Sequence, residues 1–143
     1  MHPSQTNTLP GDPVFPAGED LSEKEGYLTV LTHDSGAPEV ILPTAITVLA
    51  NLIVGDPNVD AGDVTLVPLT PGKQHRVRLK GTCNPGDQLC LADTSTAADK
   101  GKVRALPAAA GDYIVLAVAE EAGVDGQLVL LRGIGPISIN VPE

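Results

Sequence analysis

The chain has 143 residues, of which 15 are glycine and 13 are proline, and it lacks the regular glycine period of collagen. Eighteen acidic side chains outnumber nine basic ones, and the net charge of −9 disfavours generic binding to nucleic acid or to an anionic membrane surface. Phe15, Tyr27 and Tyr113 are the only aromatic residues, which is too few for a site that stacks bases or sugars.

No targeting or membrane-spanning segment is predicted from the sequence. Residues 1–10 are polar and have no apolar core of a secretory signal. The longest apolar stretch, residues 45–54, is about half as long as a membrane-spanning helix, and Thr47 and Asn51 interrupt it. We therefore expect a soluble, acidic protein that is made in the cytoplasm.

Residues 1–18 form a segment whose prolines set it apart from the rest of the chain. Because proline fixes φ and lacks an N–H donor, this segment is predicted to be an extended arm without regular helix or strand. It is either an unstructured terminus or an arm that orders against a partner. Val14, Phe15 and Pro16 are then the candidate contact residues, since Val14 and Phe15 are the apolar anchors of the arm. The prolines are Pro3, Pro10, Pro13 and Pro16.

From residue 26 onward, short β-type runs alternate with turn residues at intervals of about 10–12 residues. This spacing is typical of a compact β-barrel or β-sandwich with nine or ten short strands. We therefore predict an all-β protein with the arm at residues 1–18 and a single β-domain at residues 19–143. Short helical turns are expected only at residues 21–26 and 95–100. The predicted strands are 26–32, 39–42, 46–54, 64–69, 74–80, 88–92, 102–106, 113–120, 127–132 and 137–141.

A short Gly-Asp pattern precedes several of these runs, at residues 61–63, 85–87 and 110–112, and Asp125-Gly126 opens another. Glycine supplies a positive φ and aspartate caps the turn before a strand. Shared turn chemistry explains the pattern. A structural repeat, in which the three evenly spaced patterns mark equivalent positions, is the alternative.

The candidate chemical motifs favour a protein without catalysis, metal or other cofactor. His33, Asp34 and Ser35 are the residue types of a hydrolase triad, but consecutive residues cannot align in one hydrogen-bonded chain, so they predict a turn. Cys83 and Cys90 are predicted to be buried free thiols, because a hairpin over residues 84–87 places them diagonally and no further zinc ligands are near. The acidic loop at residues 56–63 departs from a calcium-loop pattern, so a solvated turn is expected there.

The basic residues are clustered, with seven of the nine between residues 73 and 104. Arg76, Arg78 and Lys80 alternate along one predicted strand, and we call them the basic stripe. On an acidic protein such a stripe fits an acidic protein surface, either a partner or a neighbouring subunit. The alternative is a solvated strand face that discourages aggregation.

Three segments together indicate a family. Residues 17–21 (AGEDL) are followed by Gly26-Tyr27-Leu28, and residues 81–89 (GTCNPGDQL) form a turn before a strand with the pattern Leu-x-x-Ala-Asp. Residues 118–129 (VAEEAGVDGQLV) combine a small-residue strand, Glu-Ala-Gly and a glycine turn into a closing strand. These segments resemble the small capsid decoration (cement, or head-stabilising) proteins of tailed bacteriophages.

The resemblance implies a β-domain that binds the outer surface of the expanded head as an oligomer and bridges major capsid protein subunits. The implied partners are the major capsid protein and further copies of the chain, with a homotrimer favoured and a dimer possible; no nucleic acid or membrane is expected. The implied location is the outer capsid surface of the virion. Residues 1–16 and 133–143 lie outside the resemblance.

Two other classes of function compete with this interpretation. A non-catalytic β-module that binds a glycan or a receptor on a virion or cell surface is the alternative, although such sites usually carry exposed aromatics or a calcium loop. An enzyme is not predicted. Residues 122–126 are superficially similar to one motif of trimeric dUTP pyrophosphatases, but the base-stacking aromatic and the metal- and phosphate-binding motifs are missing.

Overall fold

The computed structural model describes residues 12–56 and 62–143, and it confirms the all-β prediction. Ten strands are arranged in two five-stranded sheets. Among the described residues, the one helical element is a 3₁₀ turn at Ala97–Asp99, within the segment where a helical turn is predicted. The strands are β1 (Val14–Pro16), β2 (Leu28–Asp34), β3 (Ala37–Ile41), β4 (Leu52–Asp56), β5 (Asp63–Pro68), β6 (Gln74–Arg78), β7 (Gln88–Leu91), β8 (Val103–Ala105), β9 (Gly111–Ala119) and β10 (Leu128–Val141).

The first sheet has the strand order β1-β5-β4-β2-β3 and nearly closes into a small barrel. Closure is made by a parallel bridge between Ala17 and Val40, and the Gly18 N–H donates to the Val40 carbonyl at 2.8 Å. Closing a sheet removes edges on which other chains could pair. The interior is filled by fully or almost fully buried side chains, namely Leu21, Val40, Leu42, Val54, Val64 and Leu66.

The second sheet has the order β6-β10-β9-β7-β8 and closes in the same way. Leu79 and Val103 form a parallel bridge, and the Lys80 N–H donates to the Val103 carbonyl at 2.8 Å. Its core is the larger of the two and is built mainly from leucine, valine and alanine. Full burial of one such leucine or valine stabilises the fold by about 1.5–3 kcal/mol.

The two barrels share a packed boundary because β4 contributes to both cores. Leu52 and Val54 face the first core, whereas Ile53, between them, faces the second. This division follows from the period of two in a β-strand. The side chains of Leu28, in β2, and Leu69, directly after β5, also belong to the second core. The two barrels are therefore packed directly against each other.

One turn geometry recurs where strands enter the barrels. In the turns at residues 24–27, 70–73, 84–87 and 124–127, the first carbonyl accepts from the fourth N–H, and the third residue is a glycine with φ between +81° and +89°. A positive φ at the third position defines a type II turn and favours glycine. In each turn the glycine N–H donates to a residue of a different strand region, at 2.8 Å, and that residue's N–H donates back to the fourth turn residue. The four partners are, in chain order of the turns, Val54, Gly133, Ala119 and Leu79.

The recurrence differs from the predicted one. Gly86 and Gly126 occupy equivalent positions in two of these turns, whereas Gly111 begins a strand and does not belong to such a turn. The even spacing of the three Gly-Asp patterns is therefore not a structural repeat.

Three strand predictions are corrected. Residues 46–51 form a short turn followed by an irregular segment instead of a strand, and Val48 and Ala50 pack on the second core. The last two predicted strands are one strand, β10, with a bulge between Gly133 and Ile137. Proline does not exclude a strand at Val14–Pro16, since β1 is at a sheet edge, where a missing N–H is tolerated.

Candidate functional site

The three predicted contact residues of the arm point in different directions. Val14 pairs with Thr65 and Phe15 pairs with Val64, so the end of the arm is an antiparallel strand on β5. Phe15 is partly buried and packs against the first core, whereas Val14 is 52% exposed and Pro16 is exposed. Phe15 is thus an anchor within this chain, and Val14 and Pro16 remain accessible. Residues 1–11 of the predicted arm lie outside the described residues.

Arg76 and Lys80, the two outer members of the basic stripe, each meet an acidic partner of the same chain. The Arg76 guanidinium lies 3.0 Å from the Glu121 carboxylate and also donates to the Leu128 carbonyl. Lys80 lies 3.5 Å from Asp99. Both cationic side chains are about half exposed, and exposed ion pairs of this kind contribute only about 0–1 kcal/mol.

Arg78, the middle member, is a connector inside the fold. Its backbone N–H donates to the Gly26 carbonyl at 2.8 Å. Its guanidinium donates to the carbonyls of Gly126 at 3.0 Å and Glu25 at 3.3 Å. The sequence alternation therefore predicts one common face for the three cations of the stripe. In the structure only Arg76 and Lys80 of the stripe present substantial positive charge to solvent.

Two further basic side chains of the cluster, Lys102 and Arg104, also face internal groups. Lys102 lies 3.3 Å from Asp99, which it shares with Lys80. Arg104 is opposite Cys90 in the β7–β8 pairing, and its Nε atom is buried without a hydrogen-bond partner in the described part of the chain.

Cys83 and Cys90 are free and buried, as predicted. Burial raises the pKa of both thiols, which lowers their reactivity because the thiolate is the nucleophile. The predicted hairpin that relates them is wrong: Cys83 forms a bridge with Gly123, and β7, which carries Cys90, pairs with β8 and β9. The local turn at residues 84–87 forms, but the segments before and after it pair with other parts of the chain and not with each other.

His33 and Asp34 end β2 and lead into a two-residue turn, as predicted. The Gly36 N–H donates to His33 Nδ1 at 3.0 Å, so the imidazole accepts a hydrogen bond within the turn. Elsewhere, His75 Nε2 accepts from the Thr70 N–H at 3.3 Å, and partial burial, reinforced by Lys73, lowers the pKa of His75.

The described residues contain no group of three or more His, Cys, Asp or Glu side chains placed to hold a metal ion. In the acidic loop at residues 56–63, positions 57–61 lie outside the described residues. Asp125 of the motif that is similar to dUTP pyrophosphatases caps a turn instead, because its carboxylate accepts from the Gly81 N–H at 2.8 Å.

Two surface clefts are present in the described part of the molecule. The cleft between the barrels, next to His75 and Arg76, has a volume of about 240 Å³ and falls below the roughly 300–1,000 Å³ of most small-molecule sites. The second, of about 410 Å³, is an open groove along the hairpin of β9 and β10, and it was not anticipated from the sequence. The sequence signal that could have indicated this groove is the uncharged alternation of apolar and polar residues at 137–141. Its lining is Thr47, Asp112, Tyr113, Ile114, Ser138, Ile139 and Asn140.

The three segments that carry the family resemblance meet in space. Cys83 of the second segment and Gly123 of the third exchange two backbone hydrogen bonds, of 3.2 and 3.0 Å. Arg78 joins Gly26 of the first segment to Gly126 of the third. The segments therefore form one connected structural unit at the boundary between the barrels.

The described residues contain no helix that is long and apolar enough to cross a membrane. In comparisons with known proteins, no family model matches the chain, and no curated protein matches it.

Proposed function

We propose that this protein is a phage capsid decoration protein that binds the outer surface of the expanded head as an oligomer and stabilises the head by bridging major capsid protein subunits. The observation that carries the proposal is the meeting of the three resemblance segments around Arg78 and the Cys83–Gly123 pair. The proposed oligomer is a homotrimer, with a dimer as the alternative.

Barrel closure supports the proposal. Single parallel bridges, Ala17–Val40 and Leu79–Val103, nearly close the first and the second sheet, so each sheet exposes less free edge. A virion surface brings many copies close together, and closed edges limit uncontrolled strand pairing between them. Binding only to the expanded shell then stabilises that shell by mass action, and simultaneous contact with several subunits raises the effective concentration.

The arm is the first candidate for the capsid contact. Phe15 holds β1 to the first core, and Val14 is exposed beside it. This anchoring fixes Val14 and Pro16 in place, which reduces the conformational entropy lost when they contact a surface. Val14 and Pro16 are proposed to touch the capsid, with Phe15 holding the strand in place.

The exposed members of the basic stripe are the second candidate. Arg76 and Lys80 are paired with Glu121 and Asp99 and are themselves about half exposed, and Asp99 keeps Lys102 as a second partner. An acidic capsid surface would therefore attract these two cations without disrupting the fold. Arg78 is excluded from this role, because its guanidinium is held by two carbonyls.

Co-sedimentation with expanded, undecorated phage capsids tests the proposal. The full chain is expected to pellet saturably with capsids, and removal of residues 1–11 should weaken binding while leaving β1 intact. Val14→Asp should also weaken binding, whereas Val124→Asp, at a site that is 63% exposed, is the matched control. Arg76→Gln combined with Lys80→Gln should make binding less sensitive to salt.

Failure of the folded full chain to pellet with any such capsid would contradict the decoration role. Equal binding by the full chain and the chain without residues 1–11 would contradict the role of the arm alone. Thermal unfolding of each variant, measured in parallel, separates loss of contact from loss of fold.

A further inference from the structure

The outer part of β10 is a sheet edge that the barrel closures leave open. Residues 137–141 pair with β9 on one side, from Ile137 opposite Val115 to Val141 opposite Gly111. On the other side β6 pairs only with Leu128–Arg132, and the described part of the chain supplies no backbone partner for residues 137–141. In a β-strand, alternate N–H and C=O groups point to each side, so this edge presents unused donors and acceptors.

Within residues 137–141 this edge lacks the charge and proline that other free strand segments of the protein carry, although the bulge between Gly133 and Ile137 and two prolines, Pro136 and Pro142, adjoin it. Proteins usually shield an edge with charge, proline or a bulge. The hairpin of β2 and β3 carries Asp34, Pro38 and Glu39 along its free sides. By contrast, residues 137–141 (ISINV) contain no charge and no proline, and Ile137 is 49% exposed.

From this geometry we infer that β10 pairs with β10 of a second copy of the chain, antiparallel and about a two-fold axis at Ile139. The pattern of residues 137–141 is self-complementary in that register. Ile137 then lies opposite Val141 of the second copy, Ile139 lies opposite its equivalent, and Ser138 lies opposite Asn140. Cross-strand pairs between like apolar groups and between hydrogen-bonding groups stabilise a sheet by roughly 0.2–1 kcal/mol each.

The flanking prolines select this register. Pro136 and Pro142 bracket the five residues, and the axis at Ile139 places Pro136 opposite Pro142 of the second copy, outside the ladder. A shift by two residues brings a proline into the ladder and removes a hydrogen bond. A shift by one residue places isoleucine opposite a polar group on each face.

Electrostatics permits the contact even though the chain carries a charge of −9. Residues 133–142 are uncharged, and the nearest acid on the paired segment of β9 is Asp112, which accepts from the Asn140 amide at 2.7 Å. In the proposed pairing the two Asp112 residues are separated by three strand spacings, about 14 Å. This exceeds the roughly 8 Å Debye length at physiological salt, so their repulsion is largely screened.

The contact is expected to be weak in free solution and stronger where copies are crowded. A strand of five residues is only about 17 Å long. It therefore buries much less surface than the roughly 800 Å² per partner of a standard interface. Neighbouring copies held on one surface have a high effective concentration and so favour the same contact. Because a two-fold contact joins copies in pairs, it is separate from any contact that builds the proposed trimer. The inference goes beyond the proposed function, because the pairing is testable with no capsid present.

Disulfide trapping of the full chain tests the register. With Ile139→Cys, mild oxidation is expected to give a covalent dimer, since directly opposite residues have Cα atoms about 4.5–5.5 Å apart, within reach of a disulfide. Ile137→Cys is the matched control: residue 137 and its equivalent are about 13 Å apart along the strands and should be trapped at least tenfold more slowly. The parent chain is the blank, because Cys83 and Cys90 are only 5% and 1% exposed.

A second substitution separates pairing from collision. Ile137→Lys added to Ile139→Cys should slow trapping at least tenfold, because it places a cation against Val141 of the second copy. Leu31→Lys, at a leucine that is also 49% exposed, should leave trapping unchanged. Thermal unfolding confirms that each variant is folded. Equal trapping at positions 137 and 139, or no trapping at 139 in a folded variant, would overturn the inference.

Discussion

Cys83 and Gly123 bond to each other through both backbone groups, with N–O distances of 3.2 and 3.0 Å. The strand pairs on either side of them are arranged equivalently. Arg78 pairs with Leu128 in the same way that Val118 pairs with Gln88. Residues 74–89 and 114–129 are thus related by an approximate two-fold arrangement, and the Cys83–Gly123 pair is at its centre.

Gly123 is expected to be intolerant of any side chain. A Cβ atom there would lie 2.7 Å from Leu79 Cδ2, 3.1 Å from Val129 Cγ2 and 3.3 Å from Cys83 Sγ. Overpacking of this kind costs about 1–3 kcal/mol, so Gly123→Ala should lower the free energy of unfolding by that amount. Urea denaturation measures the change. Gly135→Ala, where a Cβ meets nothing within 4 Å, is the control and should change stability by less than about 0.5 kcal/mol.

Glu121 is expected to contribute to the loss of stability in acid. Its Oε1 atom accepts from the Leu130 N–H at 3.0 Å, from the Arg76 guanidinium at 3.0 Å and from the Gln127 amide at 3.3 Å. These bonds, the Leu130 N–H foremost, hold the pKa of Glu121 below its ordinary value of about 4.3. A lowered folded-state pKa stabilises the protein above the unfolded-state pKa, and this stabilisation is lost as pH falls through the folded-state pKa.

Urea denaturation at a series of pH values, from about 7 down to about 3, checks this. Glu121→Gln should be less stable than the parent at pH 7 and should lose less stability on acidification. Arg76→Gln should retain most of the acid dependence of the parent, because the Leu130 N–H remains. A parent-like acid dependence in Glu121→Gln would contradict the assignment. Other carboxyl groups with a lowered pKa account for part of the remaining dependence, namely Asp20, Asp93 and Asp125.

The strands were predictable from the sequence because their signal is local. Alternation of apolar and polar residues and the glycine turns mark β2, β5, β6 and β9 to within a few residues. Barrel closure was not predictable, because the Ala17–Val40 and Leu79–Val103 bridges join segments that are distant in the sequence. No local pattern encodes which edges meet.

In the candidate site, too, local features were predictable from the sequence and long-range contacts were not. Alternation predicted a common face for Arg76 and Arg78, but their partners Glu121 and Gly126 belong to a distant part of the sequence. The sequence therefore indicated where positive charge lies and not how much of it is already paired. For Cys83 and Cys90, small size and apolar context predicted burial, whereas the assumed hairpin between them failed because each flanking segment found a more distant partner.

Both thiols are expected to be unreactive in the folded protein. Cys83 and Cys90 are buried, and burial raises the pKa of each thiol. A thiol reagent at about pH 8 should label them roughly a hundredfold or more slowly than in urea, because labelling requires local opening. Cys83, at an isolated bridge, should react before Cys90, which lies in a strand paired on both sides. Rapid labelling of Cys90 without denaturant would show that β7 is not stably packed.

The turn between β2 and β3 offers a gain in stability. Asp34 pairs with Ala37, so the loop is Ser35-Gly36, with φ of 50° and 90°. Two positive φ values are those of a type I′ turn, which asparagine tolerates at the first position better than serine does. Ser35→Asn should raise the free energy of unfolding by a few tenths of a kcal/mol, as measured in urea.

Gly36→Ala tests the same geometry in the opposite direction. A Cβ at Gly36 meets no atom within 4 Å, so any cost comes from the backbone conformation and not from packing. A left-handed conformation costs an L-residue roughly 1–2 kcal/mol, and the variant should lose about that much stability. Gly135→Ala, whose site is equally open, is again the control. Equal stability of the two alanine variants would mean that the turn relaxes to another type, and Ser35→Asn should then give no gain.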